Sequence, residues 1–178
     1  HVILSGSSMV WSIDYRKALE FHQKNRADIT ILYKEQTIGA DDFSQCTALD
    51  VSETGVVTDI KINQAKITGN KISMEMYILE RSLLIDLVDI CIAHGGTDFV
   101  KDILIKNLSN MRIYGYQHRG YLARIHSIQS YYKHSLDLLK PEIWQELFLH
   151  SGGIYTKVKD GPPAKYQESA DVHNTLVA

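Results

Sequence analysis

Cysteine, long apolar runs and concentrated positive charge are all scarce in this chain, and each scarcity removes a class of protein. Only 2 of the 178 residues are cysteine. Cys46 and Cys91 lie far apart in apolar surroundings, so they read as reduced core residues of a cytoplasmic protein, not as a disulfide framework. No apolar run approaches the roughly 20 residues that span a bilayer, so no membrane partner is expected. The 19 Lys and Arg are scattered and the formal charge is −2. Nucleic acid needs a gathered cationic surface, so it too is excluded. What remains is globular: 44% hydrophobic and 22% charged, with no internal repeat and no low-complexity segment.

The length suits one domain with a small appendage. Residues 1–150 read as a partial α/β domain, and 151–178 as a linker running into something further. Both ends read as cut. His1 to Gly6 is already an apolar strand, and Leu176-Val177-Ala178 ends on apolar residues with no stop signal.

Within the first part, Val2 to Leu4 predicts a strand closed by Ser5-Gly6. Asp14 caps a helix from about Tyr15 to Asn25, and Asp28 to Tyr33 returns as a strand. This strand, helix, strand order is the unit of a parallel α/β sheet. Cys46 to Val51 and Val56 to Ile62 flank a Ser52-Glu53-Thr54-Gly55 hairpin signal. Lys71 to Leu79 alternates Ile72, Met74, Met76 and Ile78 against Ser73, Glu75 and Tyr77. Glu80 to His94 is a helix whose apolar face is Leu83, Leu84, Leu87, Val88, Cys91 and Ile92, stopped by Gly95-Gly96. A second helix runs from Asp98 to Leu108, with Phe99, Ile103 and Leu104 inward. Met111 to Tyr116 and Tyr121 to Ile125 are strands around Arg119-Gly120. Ser127 caps a helix to about Leu139, and Pro141 opens a short one to Phe148.

Six strings in order resemble one family. They are Leu4-Ser5-Gly6 with Ile13-Asp14-Tyr15 ("LSGDH…MDY"), Ser73 to Tyr77 ("SMGIY"), and Asp98 to Ile103 ("DFGKDII"). Gly120 to Ile128 with Leu136 to Leu139 follows ("GYWKDVGTI…MDLL"), then Ile154-Tyr155-Thr156 with Pro162 to Lys165 ("IYT…PPAK"), and Asn174 to Val177 ("NSLI"). The chain so resembles the bacterial ADP-glucose pyrophosphorylases, the glucose-1-phosphate adenylyltransferases. The resemblance implies a Rossmann-like, mixed-sheet nucleotide-sugar transferase domain running into a left-handed β-helix. It implies an enzyme that joins ATP and glucose 1-phosphate into ADP-glucose and pyrophosphate, with Mg²⁺, in tetramers of glycogen or starch synthesis.

The departures cluster on the family's cleft. Nucleotidyl transfer depends on positioning and on divalent metal held by carboxylates. The Asp of "SGDH" is replaced by Ser7 in a Ser7-Ser8 pair, and the Asp of "WKDVGT" by Arg124, followed by His126 for Gly. The Gly of "SMGIY" is Glu75. At the family's "EEKP" the chain reads Asp59-Ile60-Lys61-Ile62-Asn63, so either Lys61 stands in, displaced, or nothing does. The cleft candidates are therefore Ser5, Gly6, Ser7, Lys61, Ser73, Glu75, Lys101 and Arg124, with no catalytic carboxylate and no metal or other cofactor of the chain's own. The pattern resembles the non-catalytic companion subunit that some Gram-positive bacteria pair with a catalytic one in a hetero-oligomer, a tetramer by family resemblance. Sugar phosphate or nucleotide sugar remains a possible ligand.

Plainer readings stand beside these. Arg124 is either an anion clamp or a salt-bridged arginine on an edge strand. Asp98 reads as an N-cap and Lys101 and Asp102 as polar helix residues, unless Lys101 retains a cleft role. The 8 histidines include His118, His126 and His134 without ligand spacing, so zinc is not expected. Two rival readings keep their own tests: an active transferase in which Asp14 or Asp59 reaches the phosphates, and an interaction module with no ligand.

Overall fold

A computed structural model describes residues 1–36, 46–62, 70–150 and 171. The expected boundary near residue 150, the β-helix start, and the strings at 154–156, 162–165 and 174–177 lie outside the described residues. So does Asn63.

The main sheet contains β1 (Val2–Ser5), β3 (Ile29–Glu35), β4 (Ala48–Val51), β5 (Val57–Lys61), β6 (Lys71–Leu79) and β7 (Ile113–Gln117). Its order is β5-β4-β6-β3-β7, with β1 also on β6. The sheet is mixed: β3 pairs β6 antiparallel and β7 in parallel. The opening unit is not the adjacent parallel pair that its order suggests. β6 inserts between β1 and β3, pairing antiparallel with both at Met76 to Leu79. The later strand takes the central slot because it is the longest and most apolar, with Met74, Met76, Ile78 and Leu79 all at 0% exposure.

Both sheet faces are covered. Ile29, Ile31, Tyr77 and Leu79 pack toward α2 (Arg81–Ala93) and a π-helical segment, Phe99–Ile105, through Leu87, Ile103 and Leu104. Leu32, Ile72, Met76 and Ile78 pack toward Ala18 of α1 (Tyr15–Lys24) and Met9 and Leu122. On α2 only part of the expected face is inward. Leu87 is buried, whereas Val88 and Ile92 are exposed at 37% and 67%. The π-helical segment replaces the expected α-helix over those residues.

The predicted local signals hold. Asp14 Oδ1 accepts the Arg16 N–H at 3.1 Å and caps α1. Gly55, at φ 86°, closes the β4–β5 hairpin, and Gly95, at φ 70°, ends α2. Ser127 and Ser130 form a reciprocal capping box on α3 (Ile128–Asp137), which stops short of Leu139. Pro141 opens α4 (Pro141–Gln145), continued π-helically over Glu146–His150.

One small ribbon lies apart from the main sheet. β2 (Met9–Val10) pairs antiparallel with β8 (Ala123–Arg124). The strand expected over Tyr121 to Ile125 is thus only two residues long and belongs to this ribbon, not beside β7. The loop that carries the chain from β7 to β8 is tied back to the sheet. Lys34 Nζ donates to the Gly120 carbonyl, the Tyr121 N–H donates to Glu146, and the His118 N–H donates to the Tyr33 carbonyl at 2.7 Å.

Candidate functional site

The residues singled out by sequence divide into three places. Ser5, Gly6 and Glu75 line one cavity of about 490 Å³, together with Thr47, Tyr77, Thr97, Asp98 and Phe99. It lies where β1 ends, β6 bulges and the π-helical segment begins, with Thr47 just ahead of β4, so four separate stretches of chain build it.

The bulge explains Glu75. Leu32 pairs with Met76 but Tyr33 pairs with Ser73, so Met74 and Glu75 are two extra residues on β6. An even insertion keeps the alternation intact, and Ile72, Met74, Met76 and Ile78 stay on one face. Glu75 takes φ 53°, the left-handed region that side-chain-bearing residues rarely occupy. Its N–H donates to Ser73 Oγ at 3.2 Å, and its carbonyl accepts the Gly6 N–H at 2.9 Å. Ser73, at 1% exposure, is a buried support of the bulge and does not line the cavity.

Asp98 is the cap that the sequence suggests. Its Oδ1 accepts the Val100 and Lys101 N–H groups at 2.9 Å each. Lys101 stands at the rim, its Nζ 3.8 Å from Asp98 Oδ2 and its side chain 59% exposed. Asp102 accepts the Thr97 and Asp98 N–H groups and a Lys106 hydrogen bond. Lys106 foremost holds its carboxyl down at about 2. These two aspartates are structural. Tyr77 packs its ring on Phe99 with centroids 5.1 Å apart, and burial pushes its hydroxyl up to about 12.

Arg124 is in the ribbon, and Ser7 lies two residues before its first strand. Arg124 is directly across from Met9, and the Ile125 N–H donates to the Ser8 carbonyl at 2.7 Å. Ser7 and Arg124 are expected to converge on one cleft; the pairing brings their segments side by side, and neither residue lines the cavity that holds Glu75. Cys46, buried at 2% exposure, belongs to the core cluster with Leu32, Ile72 and Met76. Burial raises its thiol pKa most, Arg124 lowers it and Glu75 raises it. Sequence reading assigned Cys46 to the core but had no signal that it lies within electrostatic reach of both groups.

Lys61 is the outlier. It is on the edge strand β5, with Nζ 2.5 Å from Asp50 Oδ2 and 3.9 Å from Asp59 Oδ2. Those carboxylates face each other across the β4–β5 pair and hold the ammonium between them, so Lys61 does not line the cavity. Asp14 is likewise occupied by α1 and by the Arg16 guanidinium at 2.9 Å. Neither Asp14 nor Asp59 lines the cavity.

A hydroxyl and a guanidinium at the ribbon supply no carboxylate for a divalent cation, and the Asp98 carboxylate is spent on backbone donors. Among the described residues no group of three or more His, Cys, Asp and Glu is placed to hold a metal. Nor is any helix among them long and apolar enough to cross a membrane.

Comparison with known proteins gives the resemblance its measure. The chain is 29% identical to the glycogen biosynthesis protein GlgD of Bacillus subtilis over 180 residues, 100% of this chain and 41% of that protein. It is 30% identical to GlgD of Geobacillus stearothermophilus over 178 residues, 99% of this chain and 50% of that protein. Against the glucose-1-phosphate adenylyltransferase of Thermomicrobium roseum it is 29% identical over 179 residues, 99% of this chain and 41% of that protein. The chain is thus similar, over its whole length, to GlgD and glucose-1-phosphate adenylyltransferase proteins. It spans about half the length, or less, of these relatives. No family model matches it. In fold, it is similar to the crystal structure of HddC from Yersinia pseudotuberculosis, with a TM-score of 0.59 and 22% identity, covering 76% of this chain and 54% of that one.

Proposed function

We propose that this chain is the middle of a glucose-1-phosphate adenylyltransferase-type subunit of glycogen biosynthesis that serves regulation or assembly rather than turnover. The reading takes Mg²⁺ as absent from its cleft, a catalytic ADP-glucose pyrophosphorylase subunit as its partner in a hetero-oligomer, and the cytoplasm as its location. It rests on one observation above all. The ribbon pairs Arg124 with Met9 and Ile125 with Ser8, next to Ser7, and Ser7 and Arg124 are the two positions where the resemblance expects aspartates, which supports the reading. At an effective dielectric near 20, a unit positive charge opposes another by about 4 kcal/mol at 4 Å, and a divalent ion roughly doubles this. Such a position repels the metal that nucleotidyl transfer needs.

The surface supports a role in assembly. Ile128 is 83% exposed, and Tyr131 and Tyr132, three and four residues on along α3, are exposed on the same helix face. Apolar side chains gathered in this way fit a face that another protein surface covers. No specific observation favours the rival with Asp14 or Asp59 as metal ligands, since both are engaged by neighbouring cations outside the cavity.

The test uses the full-length protein with glucose 1-phosphate, ATP and Mg²⁺. Isolated protein is expected to release no pyrophosphate, and its addition to a catalytic subunit is expected to change that subunit's rate and co-elute with it. Robust turnover by the isolated protein sinks the proposal.

A further inference from the structure

The carboxyl ends of the parallel strands β3 and β7 open on a second cavity, of about 830 Å³. Open α/β sheets place ligands at that end of their strands, and the volume suits a small organic molecule. Tyr33 and Gln117 form the last pair of the ladder, and both line the cavity.

Tyr33 is the group that lacks a partner. It is 7% exposed, and its ring lies against Gly115, where a Cβ would meet Tyr33 Cε1 at 2.9 Å. Glycine therefore seats the ring. The hydroxyl has no hydrogen-bond partner among the described residues, yet it is not sealed inside the core, so it opens on the cavity. A tyrosine hydroxyl buried to this degree ordinarily has a partner.

Arg119 stands beside it. The His118 N–H donates to the Tyr33 carbonyl at 2.7 Å, and the Gly120 carbonyl accepts from Lys34, so both neighbours of Arg119 are pinned to β3. Burial raises the pKa of the Tyr33 hydroxyl, Glu35 raises it further and Arg119 lowers it, so the guanidinium is within electrostatic reach. Arg119 has no side-chain hydrogen bond or ion pair among the described residues.

The other charges of the wall are largely matched. Asp14 accepts from the Arg16 guanidinium at 2.9 Å, and Glu146 accepts the Tyr121 N–H. His118 is turned to the Tyr121 carbonyl at 3.2 Å, and burial disfavours its charged form. Lys17 and Arg119 then stand against Glu53 alone, so the charged groups left over favour an anion. A hydroxyl and a guanidinium without acceptors suit an oxyanion, and arginine with phosphate is the strong case.

We propose that Tyr33 and Arg119 hold the phosphate of a small phosphorylated molecule, whose organic body lies along Phe21 and Tyr116 in the same cavity. This site is separate from the cavity at Glu75 and from the ribbon, and it does not depend on whether the chain is catalytic.

The experiment titrates the full-length protein with phenyl phosphate, inorganic phosphate and phenol by calorimetry, without divalent metal. Wild type is compared with Tyr33→Phe, with Arg119→Gln and with Lys24→Gln at the far end of α1, each checked by thermal melting. Phenyl phosphate is expected to bind at least about tenfold more tightly than phenol, the scale of one charge-assisted hydrogen bond, and more tightly than inorganic phosphate. Arg119→Gln is expected to weaken phenyl phosphate about tenfold and Tyr33→Phe about fivefold, with phenol changed less than about twofold. Lys24→Gln is expected to bind as wild type does. Arg119 is exposed, so its variant carries the test if Tyr33→Phe fails to fold.

Equal binding of phenyl phosphate and phenol overturns the proposal, as does no binding of either. Phosphate-dependent binding that survives both cavity substitutions overturns it too, because the anion is then held elsewhere. So does an equal loss in Lys24→Gln, which would report general charge and not this cavity. Inorganic phosphate that binds as tightly as phenyl phosphate overturns the placing of an organic body along Phe21 and Tyr116.

Discussion

The central strand β6 and the β2–β8 ribbon are built to opposite standards. β6 runs nine residues, is paired on both edges and packs on both faces. The ribbon consists of two strands of two residues each, paired only to each other, and Val10 at its edge is 43% exposed. Yet the ribbon and the β6 bulge carry Arg124 and Glu75, two positions where the chain departs from the motifs it resembles. A sheet centre constrains its residues through packing from every side, so change there unfolds the protein. A short ribbon constrains its residues weakly, so substitution there leaves the scaffold standing.

That contrast can be broken most forcefully at the centre. Ile78, at 0% exposure, should cost about 2–5 kcal/mol when truncated to alanine, read as a lower midpoint in urea unfolding. A loss below about 1 kcal/mol would mean that β6 is not the over-determined element described here.

A smaller effect is expected between the two regions, at His118. Burial foremost lowers its pKa from the ordinary value, so folding favours the neutral ring. The stability this contributes is complete above the ordinary imidazole value, near pH 6.5, and is lost as the pH falls through it. His22, lowered by burial as well, acts in the same direction. The melting temperature should therefore fall from about pH 7.5 to about pH 5.5, and His118→Gln should flatten that fall. An unchanged slope would place the acid sensitivity elsewhere.

The smallest effect belongs to the ribbon. Val10→Ala should change stability by no more than about 0.5 kcal/mol, measured in the same urea titration. A loss as large as that of Ile78→Ala would erase the distinction between the two regions.

The local elements were legible because their causes lie within a few residues. Asp14, Asp98 and Ser127 each cap a helix by accepting N–H groups two or three residues ahead. The Ser52 to Gly55 hairpin closes on itself. The alternation of β6 was readable for the same reason. What each stripe faces was not. Val88 and Ile92 continue the periodicity of α2, but nothing in the described fold buries them. Lys61 resembled a cleft residue in linear order, and only strand pairing put it between Asp50 and Asp59 on the far edge.

The sequence by itself determined where helices and turns begin and that the fold is α/β. Only the tertiary structure decided that β6 lies between β1 and β3, that β8 pairs with β2, and that Glu75 turns left-handed over Gly6. The physical reason is that caps and turns are made by distinctive side chains acting on near neighbours. Strand pairing joins backbone groups that are alike in every residue, so the choice of partner is settled by packing across the whole core.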